Sequence, residues 1–327
     1  MNKRQLNKQQ QKRIAKKQQR ELDSGNLDTS STVNCNGRIV GQFGQHVDVE
    51  STDSVAPHQI IRCFQRANLP PLVTGDYVVW EAYNDDEGVV TALGPRKSVF
   101  GRADFRGELK PIAANIDLVV LMIAPVPEAF FNLIDRYIVA VENLGLPLLL
   151  VINKADLINT ANQAYFDSIL SIYSALGYPV LKTSVHAGEG MVELEDALRD
   201  KTAVVVGQSG VGKSSLINLM APQTVTAAGD MSRGKAKGTH TTTSAQLHHL
   251  GICDLIDSPG IREFHLEHIS AAGVLAGFRE LQTLAAHCRF RDCQHRNEPD
   301  CAVLAAAAAG EISTDRLESY FRILQSL

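Results

Sequence analysis

The stretch Gly207-Gln208-Ser209-Gly210-Val211-Gly212-Lys213-Ser214-Ser215, directly after the apolar run Ala203-Val204-Val205-Val206, constrains this chain more than any other feature. It is the strand–loop–helix pattern of a phosphate-binding loop, G-x-x-x-x-G-K-[ST]. Glycines let the backbone wrap a polyphosphate with its N–H groups turned inward. In that pattern Lys213 brings a positive charge to the β- and γ-phosphates, and Ser214 offers a hydroxyl to a magnesium ion. A helix starting near Lys213 adds its positive end to the same place.

A second motif, Asn153-Lys154-Ala155-Asp156, follows the apolar run Leu146 to Ile152. N-K-x-D reads guanine. The Asp156 carboxylate can accept both the ring N1–H and the exocyclic amine of guanine, a donor pair adenine lacks. Asn153 can bond the base edge and brace the loop, while the Lys154 stem covers the base face. Thr183-Ser184-Val185, after Tyr178-Pro179-Val180-Leu181, suits the loop that offers a backbone N–H to guanine O6. Asp257-Ser258-Pro259-Gly260 follows Cys253 to Ile256 and puts a strand-end carboxylate near magnesium, with the Gly260 N–H free for the γ-phosphate. Alone, N-K-x-D and D-x-P-G are weak signals, since both recur at ordinary turns. Four such segments, each after a strand, specify a guanine-nucleotide P-loop protein.

Their order is unusual. Most GTPases place the phosphate loop first and the base-reading loops last; here the base-reading loops precede it. A parallel sheet tolerates such a permutation when the original termini lie close together and the chain is reopened elsewhere. Whatever follows residue 265 or so is then tethered directly to the nucleotide switch.

The alternation of patterns supports this reading. Strands are predicted at 119–123, 146–152, 179–183, 202–206 and 252–257, helices at 130–144, 162–176, 190–199 and 213–221, with Gln246–Leu250 antiparallel at an edge. That is a mainly parallel sheet with helices on both faces. From Gly37 to about Leu93 the pattern changes to five short β runs separated by Gly, Asp, Asn and Pro, which fits a small closed barrel of the OB type, or an SH3-like one. Such barrels often bind RNA, although a purely structural barrel has the same periodicity.

Between the phosphate loop and D-x-P-G, residues 229–243 carry three glycines and three Lys or Arg residues and predict a mobile loop. Thr241 or Thr242, with Thr242 favoured, should reach magnesium and the γ-phosphate. Ile261 stands where many GTPases place the glutamine that orients the attacking water. The water must therefore be positioned by another group, for which His240 is the candidate, or by a partner. A surface role is the plainer reading of a histidine there. Slow intrinsic hydrolysis, accelerated by a partner, is expected.

Charge is unevenly spread. Residues 1–20 hold eight Lys and Arg and no acid, so a net charge of −4 leaves −12 on the remaining 307 residues. The Gln/Asn-rich arm should be disordered alone and able to lie along nucleic-acid phosphate, or be a solvated tail. No apolar run approaches a membrane span and no signal-peptide core is visible, and a cytoplasmic location is expected. Nothing in the sequence calls for an oligomer, so a monomer is expected.

Of six cysteines, three cluster with a histidine as Cys288-x₄-Cys293-x-His295-x₅-Cys301. Three thiolates and an imidazole suit one tetrahedral structural zinc, in surroundings too polar for core thiols. Cys35, Cys63 and Cys253 are isolated. Helical patterns at 268–286 and 302–325 flank the cluster, and His287, Arg289, Arg291 and Arg296 form a second candidate RNA-contacting patch.

Taken together, N-K-A-D, T-S, G-Q-S-G-V-G-K-S-S, G-T-H-T-T-T, D-S-P-G and the Cys₃His set resemble the RsgA (YjeQ) family of circularly permuted bacterial GTPases. The resemblance covers nearly the whole chain. It implies a basic arm and linker (1–34), an OB-fold barrel (35–108), a permuted α/β GTPase domain with motif order G4-G5-G1-G2-G3 (109–268) and a mainly helical zinc domain (269–327). It also implies a GTPase that acts in late maturation of the small (30S) ribosomal subunit, binds it in the GTP form, is stimulated by it and leaves in the GDP form. The partners implied are that subunit, its 16S rRNA and other maturation factors, with GTP or GDP, magnesium and zinc as ligands. Some potassium-assisted GTPases have asparagine where this chain has Gly210, which argues against potassium dependence by that route. Two rivals are a general RNA-binding protein whose nucleotide is structural, and a metabolic P-loop kinase. The N-K-A-D segment and the lack of a substrate domain argue against the kinase.

Overall fold

The computed structural model describes residues 35–52, 59–84, 86–103, 108–221, 245–257, 266 and 269–327. These fall into two compact units: one takes the described residues up to Phe100 with Pro111–Asn115 and 245–247, the other the described residues among 101–110, 116–221 and 248–327.

Strict alternation in the first unit makes half-buried strands. In β3 (Ile60–Gln65), Ile61 and Cys63 point inward while Ile60, Arg62 and Phe64 face out. The other strands are β1 (Gly37–Phe43), β2 (His46–Ser51), β4 (Tyr77–Ala82) and β5 (Glu87–Leu93). β1 pairs with β2, β2 with β3 and β4 with β5, all antiparallel; β3 pairs with β5 in parallel, and β1–β4 pairing closes the ring. The parallel pair inside a five-strand closed ring decides for the OB type over an SH3-like meander. Ile39, Val47, Val49, Ile61, Val78 and Val90 fill the barrel, with Trp80 against them. Gly37 is required there, because a Cβ would stand 2.5 Å from the Trp80 ring. Beside this core the buried Asp76 carboxylate accepts two bonds of 2.7 Å from Arg96 and one of 2.8 Å from the Val73 N–H. The antiparallel strand expected at Gln246–Leu250 is found as β12 (Gln246–His249), with Gln246 paired to Gly41 of β1; it has a hydrogen-bonded neighbour on each side and so is not the edge strand expected. One residue earlier, the Thr74 hydroxyl donates to the Ala245 carbonyl at 2.8 Å.

The second unit is built on near-continuous apolar runs, as strands covered on both faces require. Its sheet order is β10 (Val180–Lys182), β9 (Leu148–Ile152), β8 (Leu118–Ile123), β11 (Thr202–Val206) and β13 (Asp254–Asp257), every pairing parallel. Register brings Ile152 beside Ile123, Leu121 beside Val206, and Val205 beside Asp257. The carboxyl ends of these strands therefore share one edge, where α/β sheets hold ligands. Helices α1 (Phe131–Asn143), α2 (Gln163–Ala175), α3 (Met191–Leu198) and α4 (Lys213–Met220) connect them. A two-stranded ribbon, β6 (Val99–Ala103) with β7 (Leu109–Ala114), was not expected from the sequence.

Each of the two C-terminal helical patterns proves to be a pair: α5 (Ala271–Ala276) with α6 (Arg279–Ala285), and α7 (Ala302–Ala308) with α8 (Thr314–Gln325). The first break falls at Gly277, whose missing side chain admits Val139 of α1; a Cβ there would lie 2.7 Å from the Val139 Cα. The second follows Gly310, at φ +76°. Among the described residues no helix is long and apolar enough to cross a membrane.

Candidate functional site

At the end of β11 the chain turns through Gly207, Gly210 and Gly212, with φ of +137°, +86° and +105°. Gly212 has a packing reason as well: a Cβ would lie 2.4 Å from Asn153 Nδ2. Val211 is buried, Gln208 half-buried, and Ser209, Ser214 and Ser215 are exposed. Lys213 opens α4 and folds back so that its ammonium donates to the carbonyls of Gly207 and Gln208, each at 2.8 Å. The ammonium thus stands over the loop whose N–H groups would cradle phosphate.

Asn153 directly follows β9 and is 1% exposed. Its Nδ2 donates to the Val211 carbonyl at 2.8 Å. Its Oδ1 accepts from the Thr183 hydroxyl at 3.2 Å and the Val185 N–H at 3.3 Å. One side chain thereby ties the base-reading loop to the phosphate loop and to the 183–185 loop. Ala155 N–H donates to the Thr183 carbonyl at 2.9 Å, and the Ser184 hydroxyl donates to the Asp156 carboxylate. That bond orients the carboxylate expected to read guanine. Lys154 has left-handed backbone, φ +57°, and its ammonium donates to the carbonyls of Val126 and Gly210, both at 2.7 Å. A lysine fixed at its tip has a stationary stem to lay along a ring.

Asp257 lies at the end of β13, one strand from the phosphate loop. Burial pushes its carboxyl above the ordinary value, and the charges of His248 and Lys213 pull the other way. A carboxylate and the Ser214 hydroxyl form a hard-oxygen set that fits magnesium. Gly260, His240, Thr241 and Thr242 lie outside the described residues, as does the basic arm.

The second candidate centre is Cys288, Cys293, His295 and Cys301, whose ligand atoms all lie within 4.8 Å of one another. Cys288 Sγ is 3.8 Å from Cys301 Sγ and 3.5 Å from His295 Nδ1, and His295 Nδ1 is 3.4 Å from Cys301 Sγ. Those are close to the edges of a tetrahedron with zinc–sulfur bonds of about 2.3 Å. Burial holds His295 below its ordinary value, in the neutral form that ligates. At Cys293 burial and the neighbouring thiols of Cys301 and Cys288 push the thiol up to about 12. Burial raises Cys288 too, but backbone bonds from Val303 and Ala302 together with bonds to the thiols of Cys301 and Cys293 outweigh it and leave that thiol lowered. Three thiols and one imidazole at these spacings form a donor set that fits zinc. Glu298 closes the loop, taking N–H bonds from Gln294 at 2.8 Å, Arg296 at 2.8 Å and Asn297 at 3.0 Å. His287, Arg289, Arg291 and Arg296 are all exposed on this knuckle.

Sequence reasoning missed the turn 124–130, which supplies the Val126 carbonyl to Lys154 and puts Pro127 Cδ 3.6 Å from the Cβ position of Gly210. Its only signal was Pro125 and Pro127 directly after a buried strand.

Residues 93–267 match the family model described as RsgA GTPase. A protein of Azotobacter vinelandii named small ribosomal subunit biogenesis GTPase RsgA is 50% identical over 319 residues, 96% of this chain and 92% of that one. Among solved structures, YjeQ from Thermotoga maritima is similar with a TM-score of 0.71 and 30% identity, covering 89% of this chain and 97% of that one. YloQ, described as a circularly permuted GTPase, is similar with a TM-score of 0.68 and 28% identity, over 88% of this chain and 93% of its own.

Proposed function

The chain belongs to the RsgA GTPase family, and from that premise we propose that it hydrolyses GTP in the late maturation of the small ribosomal subunit. In this reading the GTP form binds the subunit, hydrolysis occurs there, and the GDP form leaves. The observation that carries it is the Asn153 side chain, which joins the base-reading, phosphate and 183–185 loops into one site. Only a ligand with both a base and a polyphosphate needs those loops together.

Within that site Asp156 accepts the N1–H and amine of guanine, and Asn153 and Lys154 hold the base-reading loop in place. The phosphate loop from Gly207 to Ser215 wraps the phosphates, and Lys213 swings its ammonium from the loop carbonyls to the β- and γ-oxygens. Ser214 and Asp257, with Thr242, would hold magnesium, which neutralises charge on the transferring phosphoryl group when bound. Gly260 offers its N–H to the γ-phosphate, and His240 orients the attacking water. Cys288, Cys293, His295 and Cys301 would hold one zinc, which supplies folding free energy to the knuckle. The barrel and the Arg289–Arg296 surface face 16S rRNA, and other maturation factors share the subunit. The protein works in the cytoplasm as a monomer.

Nucleotide turnover tests the site. GTP should be hydrolysed and ATP not, and Lys213→Ala should abolish turnover. Equal use of both nucleotides would refute guanine reading by Asp156.

A further inference from the structure

Helix α1 leads straight out of the 124–130 turn, and one of its faces is held along its length by the C-terminal helices. Asn132 Nδ2 donates to the Ser319 carbonyl at 3.4 Å, Glu142 accepts from Arg279 at 2.7 Å, and Asn143 Nδ2 donates to the Gly273 carbonyl at 2.9 Å. At the centre Asp135, fully buried, accepts from Arg316 Nη1 and, at 2.6 Å, from the Tyr173 hydroxyl. Arg316 is itself 1% exposed, lies 4.2 Å from the Phe278 ring centroid, and spends its other donors on Glu280 at 2.8 and 3.0 Å. A buried ion cluster contributes little net stability over apolar packing of the same shape, but it tolerates only one geometry. Here that geometry fixes α8 against α1.

The turn that leads into the N-terminal end of α1 reaches the nucleotide loops. There the Tyr165 hydroxyl donates to the Ala129 carbonyl at 2.6 Å, and the Val126 carbonyl shares the Lys154 ammonium with Gly210. We infer that Arg316 is a positioning residue for the guanine-nucleotide site: by holding Asp135 it sets α1 and the 124–130 turn, and so the Lys154 tip. A force applied to α8 by a bound partner then alters nucleotide affinity, and by linkage nucleotide binding steadies α8. The inference rests on the guanine-nucleotide reading above.

Hydrogen exchange on the full chain, with GDP, with ADP and without nucleotide, tests it. GDP should slow exchange at 207–214 and 153–156 and also along 314–325. Protection confined to the two loops overturns the inference and leaves the nucleotide reading standing. No protection by GDP at the loops themselves overturns both. In a second arm, Arg316→Met should release a fluorescent GDP analogue about threefold faster or more, and Arg316→Lys should restore part of the difference. Arg322→Ala, exposed on the same helix, should release at the parent rate. An Arg316→Met protein with lowered melting temperature and unchanged release marks a merely structural residue and refutes the positioning role; if that variant does not fold, the exchange result on the native chain decides.

Discussion

Replacing Asn153 by Ala removes the brace that unites the site, and the structure sets the size of the effect. The change strips three bonds: one good one to the Val211 carbonyl at 2.8 Å and two longer ones from Thr183 and Val185 at 3.2 and 3.3 Å. Asn153 and Thr183 are buried, so water does not readily replace the lost partner. A buried polar group left unpaired costs about 1–3 kcal/mol. Taking the upper part of that range for Val211 and little for the longer pair gives about 3 kcal/mol. If all of it fell on binding, GDP affinity would drop roughly 150-fold. Part will appear as a lower melting temperature, because the brace also exists without ligand. The expected result is at least about a tenfold rise in the Kd for GDP, read by titration with a fluorescent analogue, together with lower thermal stability. An Asn153→Ala protein that binds GDP within twofold of the parent would refute the idea that this side chain organises the three loops.

Three further outcomes are expected. Asp156→Asn should move preference from guanosine to xanthosine nucleotides, because xanthine presents a carbonyl where guanine presents an amine; competition titration reads this, and unchanged GTP affinity contradicts the base-reading assignment. Arg96→Ala strands the buried Asp76 carboxylate in the barrel, and loss of a buried partner should cost about 3–5 kcal/mol, measured by denaturant unfolding; a change below about 1 kcal/mol would mean the pair behaves like a surface one. Cys288→Ser should lower bound zinc and the melting temperature together, so a variant with parent zinc content and melting would rule out the proposed ligand set.

Much of the fold was legible because it rests on local patterns. The runs at 148–152 and 203–206 are apolar throughout and became fully buried central strands. Alternation at Ile60 to Phe64 became a half-buried barrel strand, but choosing between barrel types needed the β3–β5 and β1–β4 pairings, which are long-range. At the site, the motifs located the loops but not the bonds among them: nothing in N-K-A-D says that Asn153 crosses to Val211 or that Lys154 reaches Val126. Least legible was the grip on α1. Asp135, Glu280 and Arg316 look like ordinary surface charges on amphipathic helices, and only the packing of distant helices makes them a buried cluster. The break at Gly277 was hidden for the same reason, since only the approach of Val139 explains it, whereas Gly310 marks its break by a left-handed turn.

The most direct test is GTP hydrolysis by the full chain with and without purified small ribosomal subunits, with large subunits and ATP as controls. Strong stimulation of GTP turnover by small subunits alone is the result predicted for a GTPase gated by the particle it matures. Tight GTP binding with turnover unmoved by small subunits would contradict that account and leave a passive nucleotide-bound RNA-binding protein in its place.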